Sequence, residues 1–426
     1  KPFESYRGEV SYTTGSWGLN RFTLDLNTPL NKDRTALLRV NGAGHMEDSF
    51  QDAGYQRNLA LAASLAFKPS DRTTVRFDAD VYSSERPLLA YTRTTPGLTA
   101  KSVADLNIPF NRSLSSNDIG TKRSTINTST TIEYRIASNW TSQTTYLHNS
   151  SGDKESIFFV PFLINNNQIQ RRFRIFEFYT NTTDNIQQNI TGEQQWGSVK
   201  NRILVGADLY IHSNRGQEMN PYFQTYDTIT ISDATWEPIS RFGIEQFRAS
   251  RSQGSQSYST RYQTLSAYAS DVINFSDRFM VMLSLRMDRF SQKDNINNGI
   301  SANDGYSQTF LSPKIGVVYQ PVKGQVSLFA NYMNSFYNQG SGLGITNPND
   351  PNEIPTLRNW KAEEANQMEG GIKLEMLGGK LSSTISYYNI EVKNRIRSLG
   401  DVSVQDGTQL SKGIEIEIIA NPVSGL

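Results

Sequence analysis

The chain has 426 residues, with 42 Lys and Arg against 41 Asp and Glu, three His and no Cys. A charge balance this close to neutral lacks the basic surface of a general nucleic-acid binder, so we expect no nucleic-acid partner. The absence of Cys excludes disulfide scaffolds, thiol nucleophiles and cysteine zinc sites. The three His are widely spaced, and the hydrolase, phosphate-loop and dinucleotide-loop motifs are missing. The sequence therefore predicts no catalytic residue, no metal and no cofactor, and we expect that the protein is not an enzyme.

Membrane insertion through helices is also excluded, because no run approaches the 18 apolar residues that a helical span requires. A search for long apolar runs does not detect outer-membrane β-barrels, however. Their strands are polar on average, since every second residue faces a wet or plugged lumen. Alternation of apolar and polar residues is the pattern that identifies such strands.

That alternation recurs along the chain. In 75–82 the side chains of Val75, Phe77, Ala79 and Val81 share one face, and the residues between them are mostly polar. The same pattern occurs at 21–27, 36–41, 202–209, 279–290, 326–336, 381–392 and 411–420. A period of two is typical of a strand between two different solvents. A helical turn could begin only at 361–367, which we interpret as the approach to a strand.

Two kinds of connection alternate between these strands. Short turns of turn-forming residues fall at 29–34, 69–73, 137–139, 197–200, 276–278, 321–325, 377–380 and 421–422. Longer connections fall at 46–57, 83–122, 150–168, 212–257, 292–306, 337–362 and 396–410. Tight turns at one end and long loops at the other indicate an all-β, transmembrane, antiparallel up-and-down β-barrel. We count about sixteen strands.

Aromatic residues lie within a few residues of the short turns, as an interfacial girdle requires. They are Phe67, Tyr134, Trp140, Trp196, Phe275 and Tyr319. We expect these side chains to face outward at the membrane interface.

Several motifs, taken in chain order, resemble one family. They lie at 1–10, 15–18, 48–50, 68–71, 311–321, 331–336, 369–373 and 411–417. Together they are similar to the barrel of TonB-dependent outer-membrane receptors of the ferric-siderophore type. That resemblance implies 22 strands and a plugged lumen. Our count is about six strands short of 22, and nothing here matches a plug domain, a TonB box or a signal peptide. We therefore expect residues 1–426 to be an incomplete β-barrel domain, with the N-terminal plug and the C-terminal strands not in this sequence.

The resemblance also implies a function. The protein is expected to sit in the outer membrane of a Gram-negative bacterium and to import a ferric siderophore or similar bulky nutrient with TonB-supplied energy. Its implied partners are that nutrient, outer-membrane lipid and lipopolysaccharide, the plug domain of the same receptor, and TonB through the N-terminal region.

Other cargoes stay open at this point. A TonB-dependent importer of glycan, peptide or heme would share this wall, and a passive porin-type barrel would share the alternation. Tyr222, Phe223, Tyr226 and Trp236 could serve as sugar platforms. An Asn-Pro motif at 347–350 faintly resembles one in heme receptors, but its loop contains no His.

Candidate ligand-binding residues follow from extending the polar face of each strand to its long-loop end. This extension selects aromatic and imidazole groups that suit planar chelates through stacking and hydrogen bonds. The candidates are His45, Tyr82, Tyr210, His212, Phe290 and Tyr337. The alternative is that they form an upper girdle or pack against loops, because bulges at strand ends shift the parity.

Overall fold

A computed structural model describes residues 1–87, 92–95, 98–106, 108–233, 237–250, 254–293, 295–298, 300–303, 305–350, 352–400 and 402–421. Residues 422–426, in the last predicted turn, lie outside the described residues. The strands are β1 (Arg7–Thr14), β2 (Asn20–Pro29), β3 (Ala36–Asp48), β4 (Tyr55–Ser70), β5 (Thr73–Pro87), β6 (Arg93–Thr94), β7 (Gly120–Ala137), β8 (Trp140–Asp153), β9 (Ser156–Asn165), β10 (Gln168–Trp196), β11 (Val199–Thr230), β12 (Ser255–Ser276), β13 (Phe279–Gln292), β14 (Asn295–Asn297), β15 (Ile300–Asn303), β16 (Tyr306–Val322), β17 (Val326–Tyr337), β18 (Ser341–Ile345), β19 (Thr356–Asn359), β20 (Glu363–Met376), β21 (Leu381–Leu399) and β22 (Val402–Ala420). One α-helix, α1 (Arg241–Ser250), and short 3₁₀ turns at Val103–Leu106, Asn117–Ile119 and Leu377–Gly379 complete the described elements.

Sixteen of these strands form one continuous antiparallel wall, in the order β1, β2, β3, β4, β5, β7, β8, β10, β11, β12, β13, β16, β17, β20, β21 and β22. Each wall strand pairs with the next wall strand along the chain, which is an up-and-down topology. The six remaining strands, β6, β9, β14, β15, β18 and β19, belong to the long connections. The predicted β-barrel architecture of about sixteen strands is confirmed.

The two faces of the wall meet different solvents. Outward side chains are apolar and exposed, among them Phe77, Val205 and Leu265. On the opposite face Arg39 pairs with Asp25 at 2.6 Å between Nη2 and Oδ2. Because one residue step reverses the face, the alternation in the sequence becomes a lipid side and a lumen side.

Aromatic side chains mark the short-turn end of the wall. Trp196, Phe275 and Tyr319 are all exposed there and share the outward face with the apolar residues of their strands. Amphipathic rings at this level suit the boundary between hydrocarbon and headgroups. For these three residues the structure shows the outward position that the sequence predicts.

The longest strands extend far above the wall. β10 has 29 residues and β11 has 32, whereas a tilted strand needs about 9–11 residues to cross a bilayer. At about 3.3 Å per residue, these two strands reach on the order of 100 Å from end to end. Much of the segment predicted as a loop at 212–257 is therefore strand.

The main buried hydrophobic cluster lies in this extension, not in the wall. Phe159 of β9, Phe173 of β10 and Ile244 of α1 are almost fully buried in it. Residues 150–168 were predicted to be one of the longer connections, but Ile157–Ile164 is apolar on both faces and lies in β9. A strand that is apolar on both faces must be covered on both, as in a sheet core. We call this cluster, with the strands and helix that form it, the loop core.

Helix α1 was not foreseen from the sequence. The hydroxyl of Ser240 accepts a hydrogen bond from the backbone N–H of Gly243 at 3.0 Å, which caps the first turn. Arg241 and Glu245 form an i,i+4 pair at 3.3 Å on the outer side. Ile244 and Phe247, one turn apart, are buried in the loop core. A short helix can form with one capped turn and two apolar side chains when those side chains pack in a hydrophobic core.

Of the helical segments that the structure describes, none has the length and apolarity that crossing a bilayer demands.

Replacing Phe77 by Arg tests the lipid exposure of the outward face. We expect Phe77→Arg to lower the free energy of unfolding by about 2–4 kcal/mol, because a guanidinium near the bilayer midplane must leave water. Urea titration in lipid vesicles measures this quantity. Phe77→Leu, which keeps the site apolar, is the matched control. Equal stability of the Arg and Leu variants would show that this face does not contact lipid.

Candidate ligand-binding site

A cavity of about 790 Å³ opens on the lumen face at the long-loop end of β11, β12, β13, β16 and β17. Its walls include the side chains of Tyr210, Tyr262, Tyr268, Arg286, Phe290, Phe310, Lys314, Phe336 and Tyr337. A volume of this size falls in the range of small-molecule sites. We call it the lumen cavity.

Strand register places aromatic rings side by side in this cavity. Tyr210 lies opposite Thr264, and Thr264 lies opposite Phe290, so the three positions form one row across the wall. His212 lies opposite Tyr262 in the next row toward the loops. Because β11, β12 and β13 pair here without a register shift, every second residue of each strand faces the same lumen.

The resulting rings form a continuous aromatic row. Ring centroids are 5.0 Å apart between His212 and Tyr262, 5.5 Å between Tyr262 and Phe290, and 5.6 Å between Phe290 and Tyr306. These separations fall within the usual range for interacting aromatic pairs. The row therefore presents a rigid apolar surface with hydroxyl groups from two tyrosines.

A second aromatic pair stands across the cavity. Phe310 of β16 stacks on Phe336 of β17 with centroids 5.0 Å apart and an interplanar angle of 19°. Backbone pairing between these strands ends at Lys314 and Met333. Beyond that point the two strands separate, and both Phe336 and its neighbour Tyr337 line the cavity.

Arg286 organises the polar side of the cavity. Its guanidinium lies 3.1 Å from Asp208, 2.8 Å from Asp288 and 2.7 Å from the hydroxyl of Ser266. The same guanidinium lies over the ring of Tyr268, 5.1 Å from its centroid. This group is balanced by two carboxylates, so it serves chiefly to hold the wall and the rings in position.

Lys314 supplies a positive charge in the same cavity. Its side chain is exposed, and the described residues place no carboxylate within ion-pairing distance of its ammonium. An ammonium without a partner in a lumen cavity is available to an anionic ligand. The cavity thus combines aromatic surface with one uncompensated cation.

The six residues predicted from strand parity occupy different parts of the wall. Tyr210, Phe290 and Tyr337 line the lumen cavity. His212 borders it through its ring contact with Tyr262, and the hydroxyl of Thr183 lies 3.0 Å from His212 Nδ1.

The other two predicted residues lie elsewhere. The hydroxyl of Tyr82 donates to Asn58 Oδ1 at 3.1 Å, and the Nε2 of His45 lies 3.4 Å from Glu47. β5, which carries Tyr82, is four strands away from β11 along the wall. That is about 19 Å at the usual strand spacing. The structure therefore does not bring all six residues into one cavity.

Five aromatic residues of the site were missed by sequence analysis: Tyr262, Tyr268, Tyr306, Phe310 and Phe336. A signal for Tyr262 exists, since Tyr262, Thr264 and Ser266 continue one face of β12 toward the long-loop end. No such signal exists for Phe336, because strand parity assigns Tyr337 rather than Phe336 to the lumen. The departure of β17 from β16 is visible only in the structure.

A folded loop forms the rim beside the cavity. The N–H of Trp360 donates to the carbonyl of Gly340 at 3.0 Å, and the carbonyl of Trp360 accepts from the Gln308 side chain at 2.6 Å. The indole packs directly on Gly344, where an added Cβ would lie 2.0 Å from the ring. Only glycine at 344 permits this close approach.

The Asn-Pro segment of this loop is held by a carboxylate. Glu353 accepts hydrogen bonds of 2.7 Å from the N–H of Thr346, the hydroxyl of Thr346 and the N–H of Asn347. These donors, together with Arg358, hold the pKa of Glu353 below its usual value. The polar groups of Thr346 and Asn347 are therefore engaged in hydrogen bonds within the loop.

Of the aromatic residues considered as sugar platforms, Tyr226 packs edge-on against Phe173 in the loop core, with centroids 5.3 Å apart. It is therefore part of a packed interior and not a free platform. Trp236 and the side chains of Tyr222 and Phe223 lie outside the described residues.

Comparison with known proteins finds one family that matches almost the whole chain, and several receptors that are similar to it. Residues 4–422 match the family described as "TonB dependent receptor-like, beta-barrel". The metal-pseudopaline receptor CntO of Pseudomonas aeruginosa is 25% identical over 420 residues, which cover 92% of this chain and 53% of that protein. The ferripyoverdine receptor of the same organism is 21% identical over 404 residues, covering 93% of this chain and 46% of that protein. The chain spans about half the length of these curated relatives.

Solved structures show the same fold. The ferric-catecholate import receptor Fiu from E. coli matches with a TM-score of 0.77 at 18% identity, over 99% of this chain and 63% of that one. The receptor FpvA from Pseudomonas aeruginosa bound to pyoverdine matches with a TM-score of 0.76 at 18% identity, over 100% and 60%. The ferric preacinetobactin receptor BauA from Acinetobacter baumannii matches with a TM-score of 0.76 at 15% identity, over 99% and 60%.

The rim loop should loosen in acid. A lowered folded-state pKa of Glu353 means that its stabilisation is fully present above the unfolded-state pKa and is lost as the pH falls through the folded-state pKa. We expect the Thr346 and Asn347 amides to exchange hydrogen faster, after correction for intrinsic rates, as the pH falls below about 4. In a Glu353→Gln variant this acid-dependent gain should be absent. Equal pH dependence in both proteins would show that Glu353 does not hold the loop.

Proposed function

The chain belongs to the TonB-dependent receptor β-barrel family, and from this membership we propose that it forms the wall and binding rim of an outer-membrane receptor for a metal–siderophore chelate. In this proposal residues 1–426 act as β-barrel domain, and the receptor imports the chelate with TonB-supplied energy. The plug domain and TonB are the partners that couple binding to transport. The role is transport without chemical change of the cargo.

The lumen cavity is the observation that carries this proposal. Its aromatic row offers faces on which the planar rings or amides of a chelate can stack. Lys314 offers a charge that attracts an anionic complex, and the Tyr210 and Tyr262 hydroxyls offer hydrogen bonds. A bulky, anionic and partly aromatic chelate fits this combination better than a small neutral solute does.

The relatives support the same ligand class. The names of the curated relatives specify receptors for metal-pseudopaline and ferripyoverdine. Both ligands are metal chelates, although the first name does not specify iron. For this chain the proposal is accordingly the chemical class, a metal chelate of the siderophore type. A passive porin is a weaker alternative, because the family match covers nearly the whole chain.

The ligand class is tested by titrating the intact receptor in detergent with ferric tris-catecholate and ferric tris-hydroxamate chelates, with hemin and maltoheptaose as competing classes. Quenching of intrinsic fluorescence reports binding. We expect at least one chelate to bind and the other two classes to fail. Binding of hemin or maltoheptaose with no chelate binding would overturn the proposed class.

The location of the site is tested by a double variant. Tyr210→Ala combined with Tyr337→Ala should weaken chelate binding about tenfold, since each ring contact typically contributes about 0.5–1.5 kcal/mol. Both side chains face the cavity, so heat-modifiability of the barrel should be unchanged. Tyr82→Ala is the matched control on a distant part of the wall. An equal loss of affinity in the control would move the site away from the lumen cavity.

A further inference from the structure

The wall is split between β16 and β17 at its long-loop end. Pairing between these two strands ends at Lys314 and Met333, although each strand stays paired with its other neighbour beyond that point. Pro313, the first residue of β16 beyond the last pair, has no N–H to donate and suits an unpaired edge. We call the space between residues 306–313 of β16 and residues 334–337 of β17 the lateral window.

The lumen cavity reaches this window. On β13 and β16 the cavity is lined by even-numbered residues only, as expected for one face of a strand. On β17 it is lined by the four consecutive residues 334–337. Because adjacent residues of a strand point to opposite faces, the cavity contacts the edge of β17 as well as its lumen face. The cavity therefore extends into the lateral window.

The two ends of the window differ in chemistry. In the upper part, the side chain of Gln308 donates to the carbonyl of Trp360 at 2.6 Å and accepts from the N–H of Ala362 at 3.1 Å. In the lower part, the rings of Phe310 and Phe336 stack with centroids 5.0 Å apart. Polar contacts therefore close the upper part, whereas the lower part is closed by an apolar contact.

The lower part adjoins the lipid-facing band of the wall. Met287 of β13 and Leu311 of β16 lie opposite each other on the outward face and are 48% and 54% exposed. Leu311 lies beyond the last pair between β16 and β17. The next outward pair, Arg289 and Thr309, is polar. The window therefore begins at the upper margin of the apolar band, where the aromatic stack separates the lumen cavity from hydrocarbon.

A buried acceptor without a partner lies at the same place. Asn334 is 3% exposed and lines the cavity. Its Nδ2 donates to Glu364 at 3.0 Å and to Asn366 at 2.9 Å, which fixes the orientation of the amide. Among the residues that the structure describes, none donates a hydrogen bond to Asn334 Oδ1. A buried oxygen without a donor is costly, so this atom indicates a ligand that presents an N–H at the window.

We propose that the cargo of this receptor is an amphiphilic metal chelate whose alkyl tail leaves the lumen cavity through the lateral window. This inference rests on the proposed function and deepens it by naming the substrate class. The chelate head lies against the aromatic row and Lys314. The N–H of the amide that joins head and tail donates to Asn334 Oδ1. The tail replaces the contact between Phe310 and Phe336 and enters hydrocarbon beside Leu311.

An alkyl tail suits this path for two reasons. It gains hydrophobic burial against the two rings and then passes into the apolar band. A polar arm on the same path would leave water without gaining a hydrogen bond. The wall thus offers the two ends of one molecule the two solvents that they require.

The tail is tested with matched ligands on the intact receptor in lipid nanodiscs. Ferric tris-catecholate and ferric tris-hydroxamate heads each carry an N-acetyl or an N-dodecanoyl group, joined through the same amide. After subtraction of partition into empty nanodiscs, the dodecanoyl form of one head should bind about tenfold or more tightly than its acetyl form. Burial of two methylene groups already corresponds to about that factor. An ester in place of the amide should weaken binding of the dodecanoyl form about threefold or more, because Asn334 then lacks its donor.

A variant that fills the window assigns the gain in affinity to this path. Ser335 is exposed and lines the cavity at the edge of β17. Ser335→Trp should reduce the ratio of dodecanoyl to acetyl affinity from about tenfold to about one, because the indole occupies the path of the tail. The ratio compares two ligands on one protein, so a change in head affinity cancels. Ser411→Trp, at an exposed position of β22 outside the cavity, is the matched control and should keep the ratio.

Heat-modifiability shows that each variant is folded. Equal affinity of the acetyl and dodecanoyl forms, equal affinity of the amide and ester forms, or an unchanged ratio in folded Ser335→Trp would overturn the proposed path. An equal loss of the ratio in the Ser411→Trp control would also overturn it. An acetyl chelate that binds without any gain from the tail contradicts this inference alone. Failure of both heads to bind in either form contradicts the proposed function as well.

Discussion

The rest of this structure depends on one constraint: the barrel wall is a single layer of strands with lipid on one face and water on the other. Hydrocarbon offers no hydrogen bonds to a backbone, so every wall strand must pair with its neighbours. Once paired, each step of one residue moves a side chain from one solvent to the other. Leu209 and Ile211 therefore face outward while Asp208 and Tyr210 face the lumen. A register slip of one residue would exchange these sets, and this sensitivity keeps the strands in place.

The wall could be predicted from the sequence because its rule is local. Alternation in segments such as 75–82 and turn residues such as those at 377–380 were enough to predict about sixteen antiparallel strands. The loop core could not be predicted in the same way. Ile157–Ile164 has no alternation, and a continuous apolar run of this length does not say what covers it. Helix α1 has one cap and two buried anchors, a pattern too short to distinguish from a loop until its packing partners are known.

The candidate site was predicted in part, for a related reason. Parity says which side of the wall a residue faces, and it held for Tyr210 and Phe290 because β11, β12 and β13 pair without a shift at this level. Parity does not give the position of a strand around the barrel, so it could not show that Tyr82 lies far from the lumen cavity. It also fails where pairing stops, as between β16 and β17, and this is where Phe336 enters the site.

At the long-loop end of the molecule, the loop core is a packed interior beneath an exposed surface. Residues such as Phe173 and Ile244 are fixed by close packing, and their replacement would disturb the whole extension. Phe242 is 72% exposed on the same helix whose Ile244 is buried, and exposed positions of this kind usually tolerate substitution at a cost within about 0.5 kcal/mol. Substitutions can therefore accumulate on the outer surface of this extension while the loop core beneath it stays the same.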